Sequence, residues 1–215
     1  TSDHNFMLTR QEWEASLLQA AAATTNDFAA LAASEYWIAS GYGEIIVFNV
    51  EDIRLKANYR SPRASLSRHE VIGAVLDDLA AAGGIGVWPH PGVYGDLDDF
   101  DHWSAERDEA MAGVEIHNYG SYLGAPAAWG VHDYEPAYQL ALSRGWHVMP
   151  LATSDTHAPN WISGSPVRTV LLLDDLSPAG VLDALRAQRG YASLDENLRI
   201  SFRLGGAIMG STLSG

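Results

Sequence analysis

Residues 84–92 read Gly84-Ile85-Gly86-Val87-Trp88-Pro89-His90-Pro91-Gly92. A short apolar run opened by glycine has the length and composition of a buried strand. The Pro-His-Pro-Gly that follows stops the strand and forces a turn. Two other pieces end in the same kind of chemistry. Val148-Met149-Pro150-Leu151-Ala152 runs into Ser154-Asp155-Thr156-His157, and the chain opens on Ser2-Asp3-His4-Asn5. Where strands and helices alternate, functional groups gather beyond the carboxyl ends of the strands. Asp155 and His157 are two residues apart, so on an extended backbone they project to one face. A carboxylate beside an imidazole is ligand chemistry for a divalent metal such as Zn, Mn or Fe.

Outward from these runs, the pattern alternates. Thr9 with Glu12 three residues on is a capping box for a helix over residues 10–23, with Trp13, Leu17 and Leu18 facing inward. Phe28 to Ile38 reads as a buried strand region carrying Glu35, and Glu44 to Val50 as a β-branched strand. Residues 51–68 are polar; Arg54, Arg60, Arg63 and Arg68 there read as a solvated loop rather than an anion clamp. Ile72, Val75, Leu76 and Leu79 share a helical face, ended by Gly83-Gly84. Residues 91–104 hold Tyr94, Phe100, His102, Trp103 and four aspartates with no basic residue. That segment reads as a lid over the site.

The second half continues in kind. Ala105 to Ala112 is a short helix, Gly113 to Asn118 a strand with Glu115 and His117, and Asp133 caps a helix to about Arg144. His132 and Asp133 read as helix-start residues. Val167 to Leu173 is a strand, Ser177-Pro178 opens a helix to about Arg189, and Leu198 to Leu213 reads as strand, turn and strand. His69, His102 and His147 read as surface or helix-flank residues. The alternation gives an α/β fold with parallel strands and crossover helices.

With 215 residues, 47% of them hydrophobic, the chain can bury one full core. Its net charge of −14 repels phosphate backbones, so nucleic acid is not an expected partner. A small anionic substrate stays compatible, because bound metal is locally positive. There are no cysteines, which rules out thiolate sites, disulfides and Cys nucleophiles, so any metal is held by His, Asp and Glu. No apolar stretch is long enough for a membrane span. Compartment and oligomeric state are left open by the composition.

The ordered set Ser2-Asp3-His4-Asn5, Ser34-Glu35, Trp88-Pro89-His90-Pro91, Val114-Glu115-Ile116-His117-Asn118 and Ser154-Asp155-Thr156-His157 resembles the PHP superfamily of metal-dependent hydrolases. The tail, Asn197 to Phe202 and Met209-Gly210-Ser211-Thr212, is similar to the CehA/McbA-like metallohydrolases within it. The resemblance implies a distorted (β/α)7 barrel over residues 1–195, with the start of a C-terminal β segment at 196–215. It also implies two or three divalent ions (Zn, Mn or Fe) at the strand carboxyl ends. Carried over position by position, His4, Glu35, His90, Asp155 and His157 match ligands, with His90, Asp155 and His157 closest to the chemistry. Asp3 matches the acidic neighbour of the first histidine. Glu44 stands where relatives often carry a histidine, and His117 is a further candidate ligand or substrate contact.

The activity implied is attack of a metal-activated water on a phosphoester, carbamate or other ester of a small molecule. The alternative is a degenerate domain that serves as a non-catalytic binding or scaffold module. An amidohydrolase-type barrel would call for a ligand lysine, and the lone Lys56 lies in a loop. The family pattern opens with a His-x-His strand ahead of the segment matching Ser2-Asp3-His4. The sequence is therefore expected to be a piece of a longer protein, weak in metal binding and hydrolysis by itself.

Overall fold

A computed structural model describes residues 2–52, 66–120, 130–157 and 165–213. The arginines at 54, 60 and 63 lie outside them. The elements are β1 (Ser2–His4), α1 (Arg10–Ala23), β2 (Ala33–Ala39), β3 (Gly43–Phe48), α2 (Arg68–Ala81), β4 (Ile85–Trp88), a 3-10 turn (Leu97–Phe100), α3 (Ala105–Ala110) and β5 (Met111–Gly120). Then follow β6 (Gly130–Asp133), α4 (Glu135–Ser143), β7 (Met149–Thr153), β8 (Arg168–Leu171), α5 (Pro178–Arg186), β9 (Gly190–Ser193), β10 (Arg203–Leu204) and β11 (Ala207–Ile208).

Helix starts follow the local chemistry. Thr9 and Ser67 each close a capping box, with Glu12 and Glu70 respectively, at the head of α1 and α2. Ser104 and Ser177 accept the first free backbone N–H groups of α3 and α5. At α4 the Asp133 carboxylate takes the Glu135 N–H at 2.9 Å. That bond closes a turn one residue ahead of the helix cap, which is Tyr134 and has no side-chain hydrogen bond, so Asp133 is not the cap expected; it and His132 belong to β6, a strand the sequence did not reveal.

The fold is mixed α/β, and the sheet is mixed rather than parallel. β1 pairs parallel with β2, and β4 and β7 pair parallel with β5. β3, however, is antiparallel to both β2 and β4, and β6 is antiparallel to β5. The reason is connection length: only Ser40 to Tyr42 separate β2 from β3, enough for a hairpin and far too few for a crossover. β4 and β6 share one edge of the long β5, at residues 111–114 and 117–120, while β7 takes the other edge. Among the described residues no pairing closes β7 onto β1.

β4 explains why its run is apolar throughout. Trp88 points into a core with Trp13, Ile45, Leu76, Leu79 and Trp146, while Ile85 and Val87 point into a second core with Met149, Leu151 and Leu185. Trp88 sits edge-on to Phe100 and to Trp146 at 5.0 and 4.9 Å. A Cβ at Gly86 would run into Met111 and Leu79, so α2 packs on β4 only because glycine stands there.

Several expectations need correction. From α1 only Trp13 is buried; Leu17 is 38% and Leu18 73% exposed. The helix touches the core through one residue, and its other faces meet solvent. Phe28 is exposed, because Thr25 to Phe28 form a turn ahead of β2. α3 stops at Ala110, and Met111 and Ala112 already belong to β5. Segment 91–104 is not a detachable lid, since Leu97 and Phe100 are core residues. Its 3-10 turn is left-handed, with φ of 54, 54, 53 and 58° at Leu97, Asp98, Asp99 and Phe100. That handedness costs L-residues roughly 1–2 kcal/mol each, offset here by the burial of Leu97 and Phe100. The Trp146 indole N–H also donates to the Phe100 carbonyl at 2.8 Å.

Candidate metal centre

The sheet register assembles the first part of the site. His4 on β1 lies directly across from Glu35 on β2, and Glu35 lies across from Ile46 on β3. Glu44 is two residues before Ile46, so it shares that face. The rest arrives from turns beyond strand ends. His90 follows β4 by two residues with φ +24°, and Asp155 follows β7 by two with φ +43°. Non-glycine residues seldom adopt positive φ, and such strain persists where the surroundings enforce it, commonly at functional sites.

The side chains then converge. His4 Nδ1 is 3.6 Å from Glu35 Oε2 and 3.6 Å from Glu44 Oε1. His90 Nε2 is 3.1 Å from Glu35 Oε1 and 3.7 Å from Glu44 Oε2. Each carboxylate therefore turns one oxygen toward His4 and the other toward His90. Glu35, Glu44 and His90 together form a group able to hold a metal ion. His4 Nδ1 and Glu44 Oε2 are buried with no hydrogen-bond partner among the described residues. Buried polar atoms left that way are costly unless something else satisfies them. Donors around a tetrahedral ion at about 2.1 Å sit roughly 3.4 Å from one another, close to the separations seen here. The residues fit a metal.

Asp155 and His157 lie near enough to feel the charges of this centre but outside the group of three whose donor atoms meet. Burial drives Glu44 up to about 7, helped by the charges of Glu35 and Asp155 and opposed by His90. Burial also pushes Glu35 up, but its hydrogen bond to His90 and the charges of His90, His4 and His157 leave it below its usual range. For His90 burial favours the neutral ring; the bond to Glu35 and the charges of Glu115, Glu35 and Glu44 outweigh this and raise it to about 9. Asp155 is raised, chiefly by burial. His157 is exposed, its Nδ1 2.8 Å from the Asp155 carbonyl and 3.7 Å from the Asp155 carboxylate.

Glu115 holds His90 in place. Fully buried, it accepts the His90 backbone N–H at 2.5 Å and the Asn118 side chain at 3.1 Å through Oε2, and the Thr153 hydroxyl through Oε1. It thereby ties the strained His90 turn to β5 and β7. His117 is half-buried, and the register with β7 shifts between Glu115 and His117. No hydrogen bond or ion pair joins His117 to the His4–His90 group among the described residues. Asp3 has an exposed side chain; its carbonyl accepts the Ser34 hydroxyl at 3.1 Å. His102 faces His69 and Asp98 rather than this centre.

Two aromatic neighbours border the centre, Tyr94 from the segment expected to cover it and Phe6, which the sequence did not single out. Tyr94 meets the His90 ring edge-on at 5.4 Å, and Phe6 stacks on His4 at 5.0 Å. The hydroxyl of Tyr94 is raised by burial and by the charges of Glu44, Asp155 and Glu35, which places it beside them. The holding role of Glu115 did have a signal: a carboxylate inside an apolar strand must be satisfied by several donors. No protein-family model matches this chain, and no curated protein matches it.

Proposed function

We propose that this protein is a metal-dependent hydrolase of the PHP kind, its ions held by His4, Glu35, Glu44, His90, Asp155 and His157. The observation that carries this reading is the pair of carboxylates that each span His4 and His90. Two carboxylates set between two imidazoles would hold divalent ions of the Zn, Mn or Fe class. Bound ions of this class supply a water that deprotonates near neutral pH and a Lewis acid for the substrate oxygen.

The chain's own residues do the remaining work. Glu35 and Glu44 balance the cationic charge. Glu115 fixes the His90 turn, so the imidazole is oriented before metal or substrate arrives. The Asp155 carboxylate, on the turn after β7, would add a further oxygen to the ligand set. His157, exposed beyond Asp155, would offer its Nε2 to an ion while its Nδ1 faces the Asp155 carbonyl. Tyr94 and Phe6 set aromatic rings against His90 and His4, which suits an aryl phosphoester, carbamate or ester. The barrel of residues 1–195 and the β segment from 196 belong to the same proposal.

The test is hydrolysis of bis(p-nitrophenyl) phosphate and of an aryl methylcarbamate by protein loaded with Zn2+, Mn2+ or Fe2+. Both the 215-residue chain and a version extended upstream of Thr1 are assayed. Turnover of one substrate class, abolished by chelator and reduced on the order of 100-fold or more by His90→Ala, supports the reading. Full metal loading without turnover in either version would assign the domain to non-catalytic binding instead.

A further inference from the structure

We propose that His69, Asp98 and His102 form a second metal site, separate from the first in every ligand, which takes a single zinc-class ion. The three residues come from three places. His69 is the second residue of α2, Asp98 sits in the left-handed turn, and His102 follows that turn. Their donor atoms lie close enough together to share one ion.

His102 is the decisive residue. Its side chain is buried, only 1% exposed, and neither ring nitrogen has a hydrogen-bond partner among the described residues. A buried imidazole normally satisfies at least one of its nitrogens. Here Nε2 lies 3.5 Å from Asp98 Oδ2, too far for a good hydrogen bond. That same oxygen is 2.8 Å from His69 Nδ1. The two rings stack at 4.2 Å with 29° between their planes, so both present a nitrogen to one carboxylate. A plain ion pair between His69 and Asp98 would account for those two residues and leave His102 unexplained.

The surroundings support a built site. Arg107 donates to the His102 carbonyl at 3.0 Å and clamps Asp77 on α2 through two bonds of 2.7 and 2.8 Å. The backbone of His102 is thereby fixed against α2. Asp98 is delivered by a left-handed backbone that few sequences accept. Two imidazoles and one carboxylate, with no thiolate, select Zn2+, Co2+, Ni2+ or Cu2+ over Ca2+ or Mg2+. His69 and Asp98 are partly exposed, which leaves a fourth position to water. An ion there staples the turn to α2, and through the same loop it steadies Tyr94 above the first centre.

The experiment uses the full chain with the first centre silenced by Glu35→Gln and His90→Gln, titrated with ZnCl2 alone by calorimetry and with CoCl2 by visible absorption. This protein is expected to bind a single zinc equivalent and to develop cobalt d–d bands. Adding Asp98→Asn or His69→Gln, both at exposed side chains, should weaken zinc binding on the order of 100-fold or more, beyond the loss typical of outer partners. In parallel, nitrogen-15 spectra of the silenced protein should show the ring signals of His69 and His102 shifting with zinc, which needs no further substitution. No zinc equivalent in the silenced chain, binding unchanged by both substitutions, or unmoved His69 and His102 ring signals would each overturn the site. None of these readouts uses hydrolysis, so the result stands apart from the hydrolase proposal.

Discussion

Replacing Glu44 with glutamine should strengthen the metal-free fold and weaken metal binding at the same time. Glu44 is buried, 3% exposed at its side chain, and faces the carboxylate of Glu35. It titrates at about 7 against an ordinary 4.5. Because the folded value lies above the unfolded one, the native state keeps a proton that the unfolded chain has lost. The related stability is full below pH 4.5 and is lost as pH rises through 7. At roughly 1.4 kcal/mol per pH unit the loss at pH 8 is on the order of 3 kcal/mol. Glutamine keeps the shape without the charge. The chelator-treated variant should therefore exceed wild type by about 3 kcal/mol at pH 8 and by only about 1 kcal/mol at pH 5. For a chain of this size that corresponds to a rise in Tm of roughly 6–12 °C at pH 8. The assay is urea and thermal unfolding at both pH values, with and without Zn2+. Zinc should stabilise the wild type strongly and the variant weakly. A variant less stable than wild type at pH 8 without metal, or a gain equal at both pH values, would refute the reasoning.

Metal binding at pH 7 should release roughly one to two protons, since ligands must be deprotonated. His90, at about 9, carries one, and Glu44, at about 7, carries part of another; calorimetry in buffers of different ionisation enthalpy counts them. Without metal, the His90 contribution to stability is full below pH 6.5 and is lost through pH 9, so unfolding midpoints should fall across that window. Glu115→Ala strands the His90 N–H and the Asn118 amide in the core and should cost about 2–4 kcal/mol, seen as a lower urea midpoint. Tyr94→Ala should raise KM a few-fold while metal content stays constant, because the ring borders the centre without supplying a ligand.

What could be read from the sequence was whatever local chemistry decides. The capping box at Thr9, the β4 run into His90 and the β7 run into Asp155 all report through neighbours a few residues away, whereas the Ser67 box goes unread inside the polar 51–68 stretch. The proximity of His4, Glu35, Glu44 and His90 follows from strand register and from two strained turns, once those motifs are placed at strand ends. Strand direction cannot be taken from the apolar run of β3, which looks the same in a parallel or an antiparallel sheet; the signal lay in the short connection from β2, which allows only a hairpin. β6 and β9 were missed because their four-residue runs, Gly-Val-His-Asp and Gly-Tyr-Ala-Ser, lack the continuous apolar character of the equally short β4. The burial of His102 was hidden for another reason. Leu97 and Phe100 enter the core only because the turn between them is left-handed, and no residue there requires that handedness.

Anomalous diffraction from a crystal of this protein grown with zinc, collected on either side of the zinc edge, is the most direct test of the metal centre. The account predicts anomalous density between His4 and His90, within about 2.0–2.2 Å of Glu35 and Glu44 oxygens and of a histidine nitrogen. An ordered crystal soaked to saturation with no anomalous density among His4, Glu35, Glu44 and His90 would contradict it.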